Sequence, residues 1–274
     1  MSKTNSAENA KLQYEAGQEI SAMAAMTDSG DHKIFSTTAA PWSGKSGYEP
    51  KIYPDGLATG GAITPGTAND KVAVASLTCY LAGVLTTVAA DAAVSITRPA
   101  ASPAGLKKIN SITINSAGAI EEVAGTDNAS FSATRGAAGG PPLIPVGSIE
   151  IGQVKLTSST AALVTTAEIT QVPGTSQERY DYPVWTENAF TGTITFAAAL
   201  PAIHVGSPAT YKGVYAEVYE PIFADLDPVE NFVAPETSNS VSSKQVYGGT
   251  IGSTSSSLGQ GSFTVFLKDG ITDA

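Results

Sequence analysis

Residues 135–156 have the sequence RGAAGGPPLIPVGSIEIGQVKL, in which a glycine- and proline-rich segment leads directly into a β-branched run. Glycine permits backbone angles that other residues avoid, whereas proline fixes its own φ angle and removes a hydrogen-bond donor. A helix therefore cannot continue through Pro141, Pro142 and Pro145. The run from Val146 to Leu156 is typical of a strand. The stretch predicts a shaped loop that enters a sheet, and it contains no catalytic motif.

The composition limits the possible classes of protein. Of the 274 residues, 42% are hydrophobic, which is enough for a packed core and argues against global disorder. Only 15% are charged, against about 25% in an average soluble domain. Much of the polar surface must therefore be uncharged. Such a surface suits a protein that packs against copies of itself, and it is equally compatible with an ordinary Ser/Thr-rich β protein.

The net charge is −10, with a sequence pI of about 4.6, which argues against ordinary nucleic-acid binding because that requires a basic surface. A protein that lies beside nucleic acid without binding it is still possible. The single cysteine, Cys79, excludes an intrachain disulfide framework. The first residues show no apolar signal-peptide core. We therefore expect synthesis and folding in a cytoplasm.

One apolar stretch, residues 72–90, approaches the length of a membrane span, for which about 20 apolar residues are needed. It also contains several serine and threonine residues and alternates between apolar and polar positions from Ala73 to Leu81. Alternation of this kind favours strands. We expect two strands joined at Ala82-Gly83 and no membrane span.

The remaining patterns predict a mainly β fold. Residues 110–115 and 119–123 alternate on either side of Ser116-Ala117-Gly118, the clearest hairpin signal in the chain. A second turn at residues 28–31 precedes a return strand at 33–37. Many short strands separated by turns indicate an antiparallel β-sandwich or a barrel-like core. We expect one short flanking helix, a long loop and extended terminal arms in addition.

These signals divide the chain into three regions. Residues 1–17 are expected to form an N-terminal arm or a short helix, with Ser6 as a possible cap. Residues 18–236 would form the β core domain, in which residues 39–69 read as a long loop anchored by aromatic side chains. Residues 237–274 would form a C-terminal arm or hairpin. Residues 225–230 could add one helical turn.

Motifs for phosphate or metal chemistry are weak. Gly44-Lys45-Ser46 resembles the end of a phosphate-binding loop, but Ala39 stands where the first glycine is required. His32 reads as an exposed turn residue and His204 as a strand end, and neither has metal ligands at a suitable spacing. Asp225 and Asp227 lack the glycine and the distal glutamate of a calcium loop. We predict no metal site and no cofactor.

Groups for catalysis are equally sparse. Glu121 and Glu122 are adjacent on a predicted strand and should point to opposite faces, so they cannot easily flank one glycosidic bond. A Ser–His–Asp triad stays possible by residue order, but no nucleophile elbow occurs. Cys79 lies in an apolar strand and is expected to be a buried small hydrophobe. We predict that the chain has no catalytic residues and is not an enzyme.

Four segments resemble the major tail, or tail tube, proteins of long-tailed bacteriophages, most closely those of the flexible, non-contractile tails of transposable phages. They are residues 78–83, 139–154, 178–185 and 218–221, and the resemblance extends over most of the chain. It implies a β-sandwich or barrel-like core, six copies in a ring, and stacked rings that form a tube for DNA.

The resemblance also implies the partners and the location. The chain would contact its own copies within and between rings, and other tail proteins such as the tape measure, terminator and baseplate. Viral DNA would pass without specific binding, and the protein would reside in the tail of the virion. The main alternative is a phage or cell-surface adhesin, or a baseplate subunit, that binds glycans through Trp42, Trp185 and the tyrosines.

Overall fold

The computed structural model describes residues 13–225 and, beyond them, the backbone of four further strands that end at Val265. Two compact units are present: one is Ile20–Glu220, and the other combines the terminal segments Met1–Glu19 and Pro221–Ala274. Nearly all regular structure in the described part is antiparallel β, and none of its sheets closes on itself. The predicted mainly β, sandwich-like fold class is confirmed.

In the first half of the chain the strands are β1 (Gln13–Ile20), β2 (Ala24–Ala25), β3 (Thr27–Asp28), β4 (Ile34–Ser36), β5 (Lys51–Pro54), β6 (Gly56–Gly60), β7 (Ile63–Pro65), β8 (Lys71–Val74), β9 (Leu77–Leu81), β10 (Val84–Val88), β11 (Asp91–Ser95), β12 (Lys108–Ile114) and β13 (Ile120–Val123). The later strands are β14 (Ile149–Leu156), β15 (Ile169–Thr170), β16 (Trp185–Asn188), β17 (Thr193–Phe196), β18 (Val214–Glu217), β19 (Tyr219–Asp225), β20 (Val229–Val233), β21 (Thr237–Val246), β22 (Gly249–Leu258) and β23 (Ser262–Val265). Within the described residues, one 3₁₀ turn covers Thr166–Glu168.

Within the unit Ile20–Glu220 the strands form five small sheets. Their orders are β10-β9-β6, β11-β8-β7, β13-β12-β14-β15, β16-β17-β4-β3 and β2-β18-β5. In the other unit, β1 pairs with β19, β20 with β23, and β21 with β22. The hairpins predicted around Ala82-Gly83 and around residues 116–118 are both present, as β9–β10 and β12–β13.

Strand β14, at the end of the glycine- and proline-rich stretch, lies between β12 and β15. Its ladder with β12 shifts register between two pairs, Ile112↔Gly152 and Thr113↔Glu150. Ile151 is thus the extra residue of a β-bulge. The bulge moves the inward-facing positions by one, so that Ile149 and the bulge residue Ile151 pack in the same core as Val154 and Leu156 after it.

Two apolar clusters form the core of this unit. The first cluster is built from strands β6 to β12 and β14, and it contains Leu57, Val72, Cys79, Ile112, Ile114, Ile149, Ile151, Val154 and Leu156 among its buried side chains. The second cluster is built largely around β17 and β18, and it contains Phe35, Trp42, Ile52, Ile194, Phe196, Leu200 and Val214. Phe35 and Phe196 meet edge to face, with ring centroids 5.6 Å apart.

Several expectations about individual segments need correction. The predicted long loop at 39–69 contains three strands, β5 to β7, because its prolines lie at strand ends and its glycines at turns and close backbone contacts. The structure makes residues 13–17 part of strand β1 and not a helix, whereas residues 1–12 lie outside the described residues. The helical turn expected at 225–230 is also wrong at its described ends: Asp225 closes β19 and Val229 begins β20.

The terminal regions also differ from the expected boundaries. The compact core unit ends at Glu220, not at residue 236. Within residues 237–274, β21 and β22 pair from Thr237↔Leu258 to Val246↔Gly249. Strand β23 returns to pair with β20.

Candidate functional site

The strand pair β12–β14 has a second buried face, and this face is polar. Ser111, Thr113, Glu150 and Gln153 are all buried there. Glu150 has only 1% of its surface exposed, although it stands between two core isoleucines in the sequence. Burial of a carboxylate is costly unless hydrogen bonds and a counter-charge compensate for the lost water.

Glu150 receives that compensation from three side chains. The Arg135 guanidinium forms an ion pair with its carboxylate and also donates to the carbonyl oxygen of Pro142 at 2.7 Å. The Ser111 hydroxyl donates to Oε1, and the Gln153 amide donates to both carboxylate oxygens at 3.2 Å. Arg135 thus connects the start of the loop to strand β14.

A second buried carboxylate, Glu178, lies next to Glu150. The segment that carries it runs between β14 and β6: the Glu178 N–H donates to the Glu150 carbonyl oxygen at 2.7 Å, and the Leu57 N–H donates to the Glu178 carbonyl oxygen at 2.8 Å. The Glu178 carboxylate accepts one hydrogen bond, from the Glu150 N–H at 3.3 Å. Burial raises the pKa of Glu178 to about 7, with Lys212 opposing the rise and Glu150 adding to it.

Lys212 brings an ammonium group into the same region from the chain just before β18. Its Nζ donates to the carbonyl oxygens of Arg179 and Tyr182, each at 2.9 Å. Burial lowers the pKa of Lys212, and the negative charges of Glu178, Asp55 and Asp181 oppose that effect. Lys212 therefore ties the 178–182 segment to the β18 side of the fold.

Asp55 completes this group, between β5 and β6. Its Oδ1 accepts a hydrogen bond from the Ala82 N–H at 2.7 Å, at the turn of the β9–β10 hairpin. Ala82 has a φ of 51° there, a conformation that costs energy for a residue with a Cβ. Burial raises the pKa of Asp55 to about 6. We call Asp55, Arg135, Glu150, Glu178 and Lys212 the buried ionic cluster.

A cavity of about 220 Å³ opens beside this cluster. The charged groups Arg135, Glu150, Glu178 and Lys212 contribute to its wall, together with apolar side chains that include Pro183, Ala199, Pro201 and Ile203. The Tyr182 ring, which is 46% exposed, also lines the cavity and lies against Gly174. Apolar walls that carry a small number of fixed polar groups are the usual arrangement of a binding site for a small molecule.

The residues considered for chemistry from the sequence lie elsewhere. His32 is not a free surface residue as expected: its Nδ1 lies 2.5 Å from Asp28 Oδ2, and its ring stacks on Tyr211. His204 is buried, and its Nε2 lies 2.8 Å from the Ser148 carbonyl oxygen. Burial lowers the pKa of His204. Both histidines thus have structural contacts within the core unit.

The acidic candidates are also separated. Glu122 accepts hydrogen bonds from Thr97 and Asn110, whereas Glu121 accepts one from Asn115, as expected for opposite faces of β13. Asp225 ends β19, and Asp227 lies outside the described residues. Within residues 13–225, no group of three or more His, Cys, Asp and Glu side chains is placed to hold a metal ion.

The other motif residues have plain structural roles. Gly44-Lys45-Ser46 lies in a loop, and no helix follows it. A phosphate-binding loop requires such a helix. Cys79 is a buried free thiol, as predicted, and burial raises its pKa to about 11. Trp42 is 3% exposed within the second cluster, so its ring has no free face for a sugar. Trp185 packs against Phe196 with centroids 5.8 Å apart.

The sequence reasoning missed the buried ionic cluster. One signal was available, because Glu150 interrupts an isoleucine-rich strand and Arg135 is the only cation between it and Lys108. The joint position of Asp55, Glu178 and Lys212 depends on long-range contacts that no local pattern encodes. In the described part of the chain, no helix has the length and apolar character to cross a bilayer.

Comparison with known proteins gives no match: no family model, no curated protein and no solved structure is similar to this chain.

Proposed function

We propose that this chain is a structural virion protein that polymerises into the tail tube of a bacteriophage. Copies would form rings, six to a ring by the resemblance described above, and the rings would stack into a conduit for DNA. The tape measure, terminator and baseplate proteins would be its other partners. The chain would provide shape and self-complementary surfaces, and no catalysis.

The observation that supports this proposal is the terminal hairpin β21–β22. Its two strands are each 10 residues long, and no third strand of the described part pairs with either one. Their sequences, TSNSVSSKQV and GTIGSTSSSL, offer few apolar side chains. An isolated two-stranded hairpin is marginally stable in water. We therefore expect this hairpin to gain its stability by pairing with another copy of the chain.

Exposed apolar side chains at two hairpin turns also favour self-association. Val84 and Leu85 begin β10 and are 62% and 55% exposed. Phe190, in the turn between β16 and β17, is 83% exposed. Large apolar residues at such positions are unfavourable in water and commonly become buried in an interface.

The charge of the chain fits a DNA conduit. A duplex that must slide through a channel should not bind the wall, and a net charge of −10 repels phosphate if part of it faces the lumen. Repulsion of this kind weakens as salt screens it. The same charge argues against a subunit that binds DNA tightly through the phosphates.

Electron microscopy of the purified protein tests the proposal. The full chain should form tubes or stacked rings, whereas a variant that ends after residue 236 should remain monomeric. Circular dichroism and the thermal midpoint serve as the control that the core unit of the truncated chain is folded. Persistent monomers of the full chain would contradict the tail tube proposal, and normal tubes from the truncated chain would contradict the role of the hairpin.

A glycan-binding adhesin is the second candidate, and one aromatic cluster favours it. Tyr53 and Tyr80 are stacked with centroids 4.2 Å apart, and Tyr180 lies 5.0 Å from Tyr80. All three rings are partly exposed, as in surfaces that contact sugars. A glycan array probed with monomeric protein tests this candidate. A specific hit that is lost in Tyr180→Ala, without polymers, would favour the adhesin over the tube.

A further inference from the structure

The cavity beside Glu178 combines four features that one class of ligand would satisfy. Its volume of about 220 Å³ is below the roughly 300–1,000 Å³ of sites for drug-sized molecules, so it accepts a group about as large as one side chain. Pro183, Ala199 and Ile203 provide apolar wall for a short aliphatic stem. Tyr182, which is 46% exposed, offers a ring near the opening. The fourth feature is the Glu178 carboxylate.

Glu178 is the incompletely satisfied group of this cavity. It is 8% exposed, and its carboxylate accepts a single long hydrogen bond, at 3.3 Å from the Glu150 N–H, within the described part of the chain. A buried carboxylate ordinarily has a counter-charge or several donors. Because Glu178 lines the cavity, a ligand that enters can supply what the protein does not.

The two cations at the cavity are already engaged. The Arg135 guanidinium is paired with Glu150, and the Lys212 ammonium donates to two carbonyl oxygens at 2.9 Å. The buried ionic cluster holds two cations against three carboxylates, so it carries one net negative charge when all five groups are ionised. Burial raises the pKa values of both Glu178 and Asp55, and Lys212 opposes the rise in each case.

We propose that this cavity binds a monovalent organic cation, a primary ammonium or guanidinium group on a short aliphatic stem, with Glu178 as its anionic partner. The cationic head donates hydrogen bonds to the Glu178 carboxylate, and the stem packs against Pro183, Ala199 and Ile203. The Tyr182 ring contributes a cation–π contact near the opening. Lys212 lies on the same wall and limits the affinity by repulsion.

The test uses n-butylammonium and n-propylguanidinium as probes, titrated into the full chain by calorimetry at pH 8. We expect saturable binding in the millimolar range, as suits a ligand of this size. Binding should be at least tenfold weaker in Glu178→Gln and unchanged in Glu187→Gln, since Glu187 is an exposed glutamate on β16. Neutral butyramide should not bind. No saturable binding, or equal affinity in Glu178→Gln, would overturn the proposal.

The dependence on pH gives an independent measurement. A carboxyl group with a pKa of about 7 is roughly 90% ionised at pH 8 and roughly 10% ionised at pH 6. The affinity for either probe should thus fall about tenfold between these values. The charged groups that face Glu178 are Arg135, Glu150 and Lys212. A flat profile would contradict Glu178 as the partner.

A second variant protects the test from effects on folding. Ala199 is an exposed alanine on the cavity wall, so Ala199→Trp can fill the space without a change of charge. We expect loss of probe binding with an unchanged thermal midpoint. Retained binding in this variant would overturn the assignment to the cavity.

The cation can come from a free small molecule or from a lysine or arginine side chain of a second copy. Sedimentation velocity of Glu178→Gln beside the parent chain distinguishes the two sources. Weaker self-association of the variant would show that the cation is a side chain of a second copy, and equal self-association would show that it is a free molecule. Binding of the probes is independent of the proposed tail tube. A chain that stays monomeric would refute the tube and leave this site testable.

Discussion

Arg135 and Glu150 form an ion pair across fifteen residues of chain, and this contact closes the glycine- and proline-rich loop onto the strand that follows it. The second hydrogen bond from Arg135 to the carboxylate is 3.3 Å long, and a third goes to the Pro142 carbonyl oxygen. One side chain thereby fixes the start, the middle and the end of the loop. The geometry of the loop depends on this interaction as much as on its prolines.

Replacement of Arg135 should therefore be costly. Arg135→Met leaves the buried Glu150 carboxylate without its counter-charge, and loss of one partner from a buried pair typically costs about 3–5 kcal/mol. Arg179→Met is the matched control, because the Arg179–Asp181 pair is 30% and 44% exposed and should contribute less than about 1 kcal/mol. Urea unfolding measures both free energies. Similar losses in the two variants would contradict the structural role of Arg135.

Two glycines of the same loop allow a comparison at nearly equal φ. Gly139 and Gly136 have φ angles of 74° and 78°, so alanine is strained at both. At Gly139 a Cβ would stand 2.2 Å from the Ser130 carbonyl oxygen, whereas at Gly136 the nearest atom is a Leu143 carbon at 3.4 Å. We expect Gly136→Ala to cost about 1 kcal/mol and Gly139→Ala at least about 1–2 kcal/mol more.

The measurement is the free energy of unfolding of the two alanine variants in urea. Equal destabilisation would show that backbone strain alone governs both positions and that the close approach to Ser130 is not restrictive.

The buried Asp55 should make stability depend on pH. Its pKa is about 6 in the folded protein and near 3.8 when unfolded, so the folded state binds the proton more tightly. The contribution of Asp55 to the free energy of unfolding should be fully present below about pH 4 and be lost as the pH rises through 6, a change of about 3 kcal/mol. Asp55→Asn keeps an oxygen for the Ala82 N–H and removes the titration.

The difference in unfolding free energy between Asp55→Asn and the parent chain isolates this effect from Glu178, whose raised pKa acts in the same direction. We expect the variant to become relatively more stable between pH 4 and pH 7. Parallel stability curves for the two proteins would refute the assignment.

Phe190 should affect assembly and not folding. Its side chain is 83% exposed, so Phe190→Ser should change the unfolding free energy by no more than about 0.5 kcal/mol. If the turn between β16 and β17 lies at a contact between copies, light scattering should show slower polymerisation. Thr186→Ser, at an exposed position on β16, is the control. Unchanged polymerisation would exclude Phe190 from the interface.

Local patterns were sufficient for the hairpins of this fold. Alternation and turn residues predicted β9–β10 and β12–β13 because adjacent strands joined by a tight turn need only nearby residues. The same reasoning failed for residues 39–69, where glycine and proline mark strand ends and close contacts and not a continuous loop. The buried ionic cluster was inaccessible for a related reason, since Asp55, Glu150 and Lys212 come from distant parts of the chain.

The bulge at Ile151 has a consequence for how the length of β14 can change. The β14 side chains that face the first cluster have odd residue numbers up to Ile151 and even residue numbers from Val154 onward. The additional residue of the bulge makes this change of numbering possible. Deletion of Ile151 would restore a regular ladder in which Ile149, Val154 and Leu156 still share one face and Glu150 and Gln153 lie on the other. The strand can therefore become one residue shorter at Ile151 without turning either flank to the other face, and the cost is the apolar packing that the Ile151 side chain contributes to the first cluster.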